Sequence, residues 1–173
     1  MERFFDRLTY TGDRDGALAI LDEKRTLLPR SGQTNTAGSW LMLALVVEGL
    51  VMLGEHSHAG QLYPLFSELI GTGPVVLWPI FRLTHTIAGV AAAAARQWDA
   101  AEEHFQIALR QAESLPNRLE QAEIGRFRAM MLIDRAAAGD REKAQALLGE
   151  ALETYTQIGM PRHIEMVRRA LLN

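Results

Sequence analysis

Glu55, His56 and His58 are three potential metal ligands within four residues of the chain. Zinc sites in proteins are built from histidine nitrogen and carboxylate oxygen atoms held in a tetrahedral arrangement. Side chains share a face of a regular helix when they are three or four residues apart, so two histidines two residues apart cannot both reach one ion. We therefore expect no metal site here and interpret the segment as the solvated beginning of a helix.

Asp99, Glu102 and Glu103 precede His104 and are the best candidates for general acid and base chemistry. Catalytic carboxylates need a cleft that perturbs them, whereas these residues begin an amphipathic helix, where acidic side chains favour the helix dipole. The chain has no H-E-x-x-H motif, no G-x-x-x-x-G-K-S/T phosphate loop and no cysteine. We therefore expect a protein that is not an enzyme and that has no cofactor. The remaining histidines are expected to be isolated surface or interface side chains: His85, His104 and His163.

The composition fits a single globular domain of 173 residues, with 48% hydrophobic and 23% charged residues. A net charge of -3 with no basic stripe argues against direct nucleic-acid binding. The longest apolar stretch, residues 40–53, contains Glu48 and is shorter than the roughly twenty residues of a membrane span. Since the N-terminus also lacks the apolar core of a signal peptide, we expect a cytoplasmic protein with no membrane partner.

Four similar helical phrases recur along the chain, anchored at Ala17, Ala59, Ala101 and Ala144. The intervals between these alanines are 42, 42 and 43 residues. A period of roughly 20 to 50 residues is typical of a solenoid, in which each unit buries its apolar face against its neighbours. The spacing therefore predicts an all-α protein made of antiparallel helix pairs.

Turn-forming residues divide these units into helices. Pro79 is expected at a first helical position, where its missing N–H costs nothing. Pro64 lies inside the predicted fourth helix and is expected either to kink it or to mark an early start there. The small residues Ala88, Gly89 and Ala92 are expected to let two helices approach closely. The predicted helices cover residues 2–10, 14–28, 36–53, 57–70, 79–95, 98–114, 118–138, 141–158 and 162–172.

The segment 71–81 concentrates apolar side chains around a predicted loop. One hypothesis is that they plug the core between the second and third units. The other is that they form an exposed patch for dimerisation or for docking onto a neighbouring domain. The burial of Trp78 distinguishes the two. The side chains concerned are Val75, Val76, Leu77, Trp78, Ile80 and Phe81.

The third unit resembles a tetratricopeptide repeat, in which small residues lie at the helix crossing and an aromatic residue lies in the second helix. The residues that carry the resemblance are Gly89, Ala92, Trp98, Ala101, Phe105 and Ala108. The chain's ending, with Tyr155, Gly159, Met160 and Pro161, resembles the C-terminal repeats of bacterial signalling regulators of the LuxR type and of related ATPases. Lys24 and Phe66 depart from the pattern because they replace small residues.

This resemblance implies one domain over residues 1–173, a right-handed α-solenoid of about four repeats and a C-terminal capping helix. The repeat units would be residues 1–30, 36–72, 78–115 and 118–158, with the cap at 161–173. It also implies a non-catalytic scaffold of a bacterial signalling or regulatory system that binds a peptide or partner helix in its concave groove. A domain that senses a small molecule or signalling peptide is the alternative, and a structural arm with a homodimer interface is a third possibility.

In such arrays the first helix of each unit lines the concave wall. On our register the wall is a largely apolar trough in which Glu48, Arg82 and Arg126 select the ligand by their charge. The predicted groove residues are Leu41, Ala44, Glu48, Val51, Met52, Arg82, Thr86, Val90, Arg126, Ala129 and Ile133.

Overall fold

The computed structural model describes residues 12–172, and this part of the chain is mostly α-helical. The predicted all-α class is therefore confirmed, while the helix predicted at residues 2–10 lies outside the described residues. The helices are α1 (Arg14–Glu23), α2 (Ala37–Met52), α3 (His56–Gln61), α4 (Tyr63–Gly71), α5 (Thr84–Ala94), α6 (Trp98–Ser114), α7 (Arg118–Arg135), α8 (Asp140–Ile158) and α9 (Pro161–Leu172). A 3-10 turn (Arg25–Leu27) follows α1, and two short strands, β1 (Val76–Leu77) and β2 (Arg82–Leu83), precede α5.

Side-chain caps and glycines explain where several helices begin and end. The side chains of Asp13, Thr36 and Asn117 accept hydrogen bonds from backbone N–H groups in the first turns of α1, α2 and α7. Gly139 and Gly159 flank α8 with φ of 78° and 83°, a left-handed conformation that favours glycine. The helix predicted at 98–114 is confirmed in full, as α6.

The predicted helix at 57–70 is divided into α3 and α4, which meet at Leu62. Pro64 is the second residue of α4, where the absence of an N–H group removes no helical hydrogen bond. The predicted distortion at this proline is confirmed as a break between two helices.

The prediction of a helix beginning at Pro79 is wrong, because residues 76–83 form a β-hairpin. Val76 pairs with Leu83 and Leu77 with Arg82 in antiparallel register. Trp78 precedes Pro79, and a residue before proline avoids the helical region of φ and ψ. Phe81 takes a left-handed φ of 56°, which also interrupts a helix. The helix therefore starts five residues later, at Thr84, whose N–H donates to the Val75 carbonyl at 2.9 Å.

Consecutive long helices pack as antiparallel pairs. Between α7 and α8, Arg135 contacts Asp140 near the turn, and Glu123 contacts Tyr155 at the far end. Between α5 and α6, a Cβ atom added at Gly89 would lie 2.8 Å from the Phe105 ring, so this glycine is a point of close approach. The fully buried Phe66 shows that the second unit accommodates a large side chain in place of a small one.

The helices that begin the predicted units lie side by side. Helix α2 packs against α5, and α5 packs against α7. Helices α3 and α4 also pack on α5, α6 packs on α7, and α9 packs on α8. Among residues 12–172, no helix has both the length and the apolar character that crossing a bilayer requires.

Candidate functional site

Arg82, the first residue of β2, lies among three carboxylates from two helices. Its Nε and Nη2 atoms donate to the two oxygens of Glu48 on α2, at 3.2 and 2.9 Å. Its Nη1 donates to Glu120 at 2.9 Å, and Nη2 also donates to Glu123 at 2.9 Å. The second Glu120 oxygen accepts from the backbone N–H of Leu83 at 3.1 Å. A guanidinium has five N–H donors, so these carboxylates use nearly all of the donors of Arg82.

Glu123 is the centre of this network. One carboxylate oxygen accepts hydrogen bonds from Arg82 and, at 2.7 Å, from Arg126. The other accepts from the hydroxyl of Tyr155 on α8 at 2.5 Å and lies 3.4 Å from Nε2 of His163 on α9. The network, defined as Glu48, Arg82, Glu120, Glu123, Arg126, Tyr155 and His163, therefore joins α2, β2, α7, α8 and α9.

Electrostatics fix the charge state of this ionic network. Burial disfavours the charged form of Glu123, but the guanidiniums of Arg126 and Arg82 outweigh it and hold its pKa far below the usual range. Burial, reinforced by the Glu123 charge, raises the pKa of Tyr155, and burial lowers the pKa of His163. At neutral pH the tyrosine and the histidine are therefore neutral, and the network places three carboxyl groups opposite two guanidiniums.

Arg126 is much less completely paired than Arg82. Its side chain is 3% exposed, and one nitrogen donates to Glu123. A second nitrogen, Nη1, faces the weakly accepting Met130 sulfur at 3.7 Å. Among the described residues, Nε is buried without a hydrogen-bond partner. The guanidinium carbon lies 4.0 Å from the centre of the Phe127 ring, a cation–π contact that does not provide an acceptor for the Nε–H group.

An apolar cleft of about 490 Å³ opens one helical turn beyond Arg126. Arg126, Met130, Ile133 and Ala137 follow one another at intervals of four, three and four residues, so they share one stripe of α7 and its end. His56, which lies 3.8 Å from Asp134, closes one side of the cleft. The lining consists of His56, Met130, Leu132, Ile133, Asp134, Ala136, Ala137, Arg141, Ala144, Gln145, Leu148, Ala170 and Leu171.

The structure brings together the three charged residues predicted for the groove, Glu48, Arg82 and Arg126, but it pairs them within the ionic network. Arg82 lies on a strand and not on the predicted helix. Ile133 is 46% exposed and lines the cleft. Met52 is half-buried. The other predicted groove residues are buried between packed helices and offer almost no surface to a ligand: Leu41, Ala44, Val51, Thr86, Val90 and Ala129.

The prediction that His85, His104 and His163 are isolated is wrong. Nδ1 of His85 and Nδ1 of His104 are 2.9 Å apart, and the Tyr63 hydroxyl lies 3.1 Å from Nε2 of His104. Burial lowers the pKa of both His85 and His104. The three side chains come from α4, α5 and α6, so they form a polar contact among these three helices. His163 belongs to the ionic network.

The residues considered for metal and acid–base chemistry contact other polar side chains. His58 lies 2.9 Å from a carboxylate oxygen of Glu55, and Glu102 accepts two hydrogen bonds from Arg128. Within residues 12–172, no three histidine, aspartate or glutamate side chains are arranged to hold a metal ion.

The β-hairpin presents aromatic side chains to solvent. Trp78 is 72% exposed and Phe81 55% exposed, and their rings meet edge to face at 4.6 Å. Val75 and Val76 are also exposed, whereas Leu77 and Ile80 pack against the core. The hypothesis that the whole segment plugs the core is therefore wrong, and an exposed apolar patch is present at the hairpin.

Four members of the ionic network were not predicted from the sequence: Glu120, Glu123, Tyr155 and His163. A signal was present, since Glu120, Glu123 and Arg126 are spaced by three residues on the face of α7 that was assigned to the groove. Carboxylates on an inward face require cationic partners, and the sequence pattern places Arg82 and Arg126 in the same groove.

The chain matches no model of a known family, no curated protein and no solved structure.

Proposed function

We propose that this protein is a non-catalytic interaction module that binds an apolar peptide or partner helix in the cleft between α7, α8 and α9. The observation that carries the proposal is the cleft itself, a largely apolar cavity of about 490 Å³ next to the buried ionic network. The network fixes the positions of α2, α7, α8 and α9 relative to one another, so the cleft has rigid walls. A rigid apolar concavity with few polar groups is typical of a binding site.

We further propose that the fold is a right-handed, tetratricopeptide-like solenoid of about four units with a capping helix, forming one domain over residues 1–173. The side-by-side packing of α2, α5 and α7 supports it, because these helices begin successive predicted units. The packing of α6 on both α5 and α7 also follows the solenoid pattern. By resemblance, the domain would act in a cytoplasmic bacterial signalling or regulatory system.

The size of the cleft limits what can enter it. A cavity of about 490 Å³ holds a few side chains and not a whole helix, so a partner helix would lie across it with anchors at i, i+3 or i+4. Burying one leucine or phenylalanine contributes about 1.5–3 kcal/mol. Two or three anchors would therefore contribute about 3–9 kcal/mol before the cost of ordering the peptide.

The test is a selection of displayed random peptides on the parent protein, followed by affinity measurements with two matched variants. Ile133 and Leu119 are both exposed apolar residues of α7, at 46% and 37%, but only Ile133 lines the cleft. We expect Ile133→Glu to lower the affinity for the selected peptides by at least about tenfold, because the substitution places a charge among the apolar anchors. Leu119→Glu should bind as the parent does. Equal affinities for all three proteins would reject the cleft as the binding site.

A ligand-sensing domain is the second candidate, and the cleft volume favours it. Small-molecule sites commonly enclose about 300–1,000 Å³, a range that includes this cleft. A small apolar molecule that displaces the selected peptides from the parent, and that fails to bind Ile133→Glu, would support this candidate.

A further inference from the structure

Arg126 has hydrogen-bonding capacity that its own fold does not use. Its buried Nε–H has no partner within the described residues, and its Nη1 donates to the weakly accepting Met130 sulfur at 3.7 Å. Buried N–H groups are almost always paired, because their hydration is lost without replacement. Arg82, in the same network, donates to three carboxylates. The unused donors of Arg126 therefore call for an acceptor from outside the network.

Met130 connects these donors to the cleft. It lines the cleft, and its Sδ atom lies 3.7 Å from Nη1 of Arg126. Methionine is unbranched and has three rotatable side-chain bonds, so it adapts readily to a neighbouring group. A ligand that displaces the Met130 thioether would place its own polar atom against the Arg126 guanidinium.

The charge of the network decides which kind of acceptor fits. Three carboxyl groups, those of Glu48, Glu120 and Glu123, already contact the two guanidiniums of Arg82 and Arg126. A ligand carboxylate bound to Arg126 would add a negative charge near the buried Glu123 carboxylate, where like charges repel strongly. A neutral carbonyl oxygen accepts the same hydrogen bond without this repulsion.

Resting on the proposed function, we propose that Arg126 is a specificity residue of the cleft, donating a hydrogen bond to the neutral amide carbonyl of an apolar ligand. The ligand class is an apolar peptide segment, bound through an internal backbone carbonyl and not through a terminal carboxylate. Apolar contacts with Ile133 and Leu171 hold the body of the ligand, and Arg126 distinguishes the amide from the acid.

The test uses two small probes with the same apolar body, 4-methylpentanamide and 4-methylpentanoate, titrated into the isotope-labelled protein and followed by nuclear magnetic resonance. The backbone amide signals of Ile133 and Ala137 report occupancy of the cleft. The Nε–H signal of Arg126 reports the hydrogen bond directly and needs no mutation. We expect the amide to bind about tenfold more tightly than the acid, and only the amide to shift the Arg126 signal.

Arg126→Lys is the matched variant, because lysine keeps the positive charge beside Glu123 but has no Nε–H group. It should bind both probes with equal, weak affinity. Tighter binding of the acid to the parent, or an undiminished preference for the amide in a folded Arg126→Lys, would overturn the role of Arg126. If neither probe binds while selected peptides still depend on Ile133, the amide recognition fails and the proposed function stands. If those peptides also fail, the proposed function itself is rejected.

Discussion

Replacing Tyr155 by phenylalanine tests whether the ionic network stabilises the fold. The Tyr155 side chain is fully buried, and its hydroxyl donates to Glu123 at 2.5 Å. The same carboxylate oxygen has otherwise only Nε2 of His163, at 3.4 Å. Tyr155→Phe removes one oxygen atom, keeps the ring and leaves that carboxylate oxygen poorly satisfied. A hydrogen bond to a charged group contributes about 1.5–3 kcal/mol, so we expect a loss of about 2 kcal/mol in the free energy of unfolding.

Tyr63→Phe is the matched control. It removes the same atom from a half-buried tyrosine whose hydroxyl lies 3.1 Å from Nε2 of an imidazole, that of His104, and not from a carboxylate. A neutral hydrogen bond contributes about 0.5–1.5 kcal/mol, and less where water can replace it. Urea unfolding at neutral pH, followed by circular dichroism, measures the loss of unfolding free energy in each variant. The comparison requires that the slope of unfolding free energy against urea concentration is the same in the two variants and the parent.

The double variant Tyr155→Phe/Glu123→Gln assigns the loss to the carboxylate. Glu123→Gln leaves Arg82 and Arg126 without their shared charge and is expected to cost about 3–5 kcal/mol on its own. In that background, Tyr155→Phe should cost at least about 1 kcal/mol less than in the parent, because its charged acceptor is gone. A loss for Tyr155→Phe no larger than that for Tyr63→Phe, or strict additivity with Glu123→Gln, would refute the electrostatic role of this contact.

Two further predictions concern packing and pH. Gly89→Ala should destabilise the fold by about 1–3 kcal/mol, because the new Cβ would lie 2.8 Å from the Phe105 ring. Gly149→Ala is the control: its Cβ would meet open space, so it should stabilise α8 by up to about 1 kcal/mol. Thermal unfolding measures both, and equal shifts in Tm would contradict the packing argument. The folded state lowers the pKa of His85 and His104 below 6.5, so it binds fewer protons than the unfolded chain. The free energy of unfolding should therefore have its full value above about pH 6.5 and decrease as the pH falls below it. The decrease is at most about 1.4 kcal/mol per pH unit for each proton taken up on unfolding. His104→Gln should flatten this slope in urea unfolding curves, and an unchanged slope would exclude the pair as its cause.

Helix positions could be predicted from sequence where a local pattern fixes them. In α6, apolar residues repeat at helical spacing from Ala101 to Ala108, and the prediction of 98–114 is confirmed. The hairpin could not be predicted in the same way. Its form depends on the left-handed φ of Phe81 and on hydrogen bonds made by Thr84 and Leu83 to distant groups. Pro79 gave a local signal for a helix start that these nonlocal bonds override.

Membership of the ionic network is nonlocal in the same sense. Arg82 lies 34 residues from Glu48 and 38 from Glu120 in sequence, and Tyr155 lies 32 from Glu123. Sequence periodicity correctly placed Glu48, Arg82 and Arg126 together but assigned them to a ligand, because it could not show that they satisfy one another. The cost of burying an unpaired guanidinium, which made Arg82 and Arg126 attractive groove residues, is the same cost that pairs them with Glu123.

Residues along one face of α7 therefore have two different roles, according to how deeply they are buried. At its inner end, Glu123 accepts hydrogen bonds from Arg82, Arg126 and Tyr155 and lies 3.4 Å from Nε2 of His163, so it connects four elements of the fold. At its outer end, Ile133 lines an open apolar cleft. Arg126 lies between them, bonded to Glu123 on one side and facing Met130 with unused donors on the other. A ligand that bonds Arg126 would thus contact the group that connects α7 to the rest of the fold, and binding would be coupled to the stability of the whole helical array.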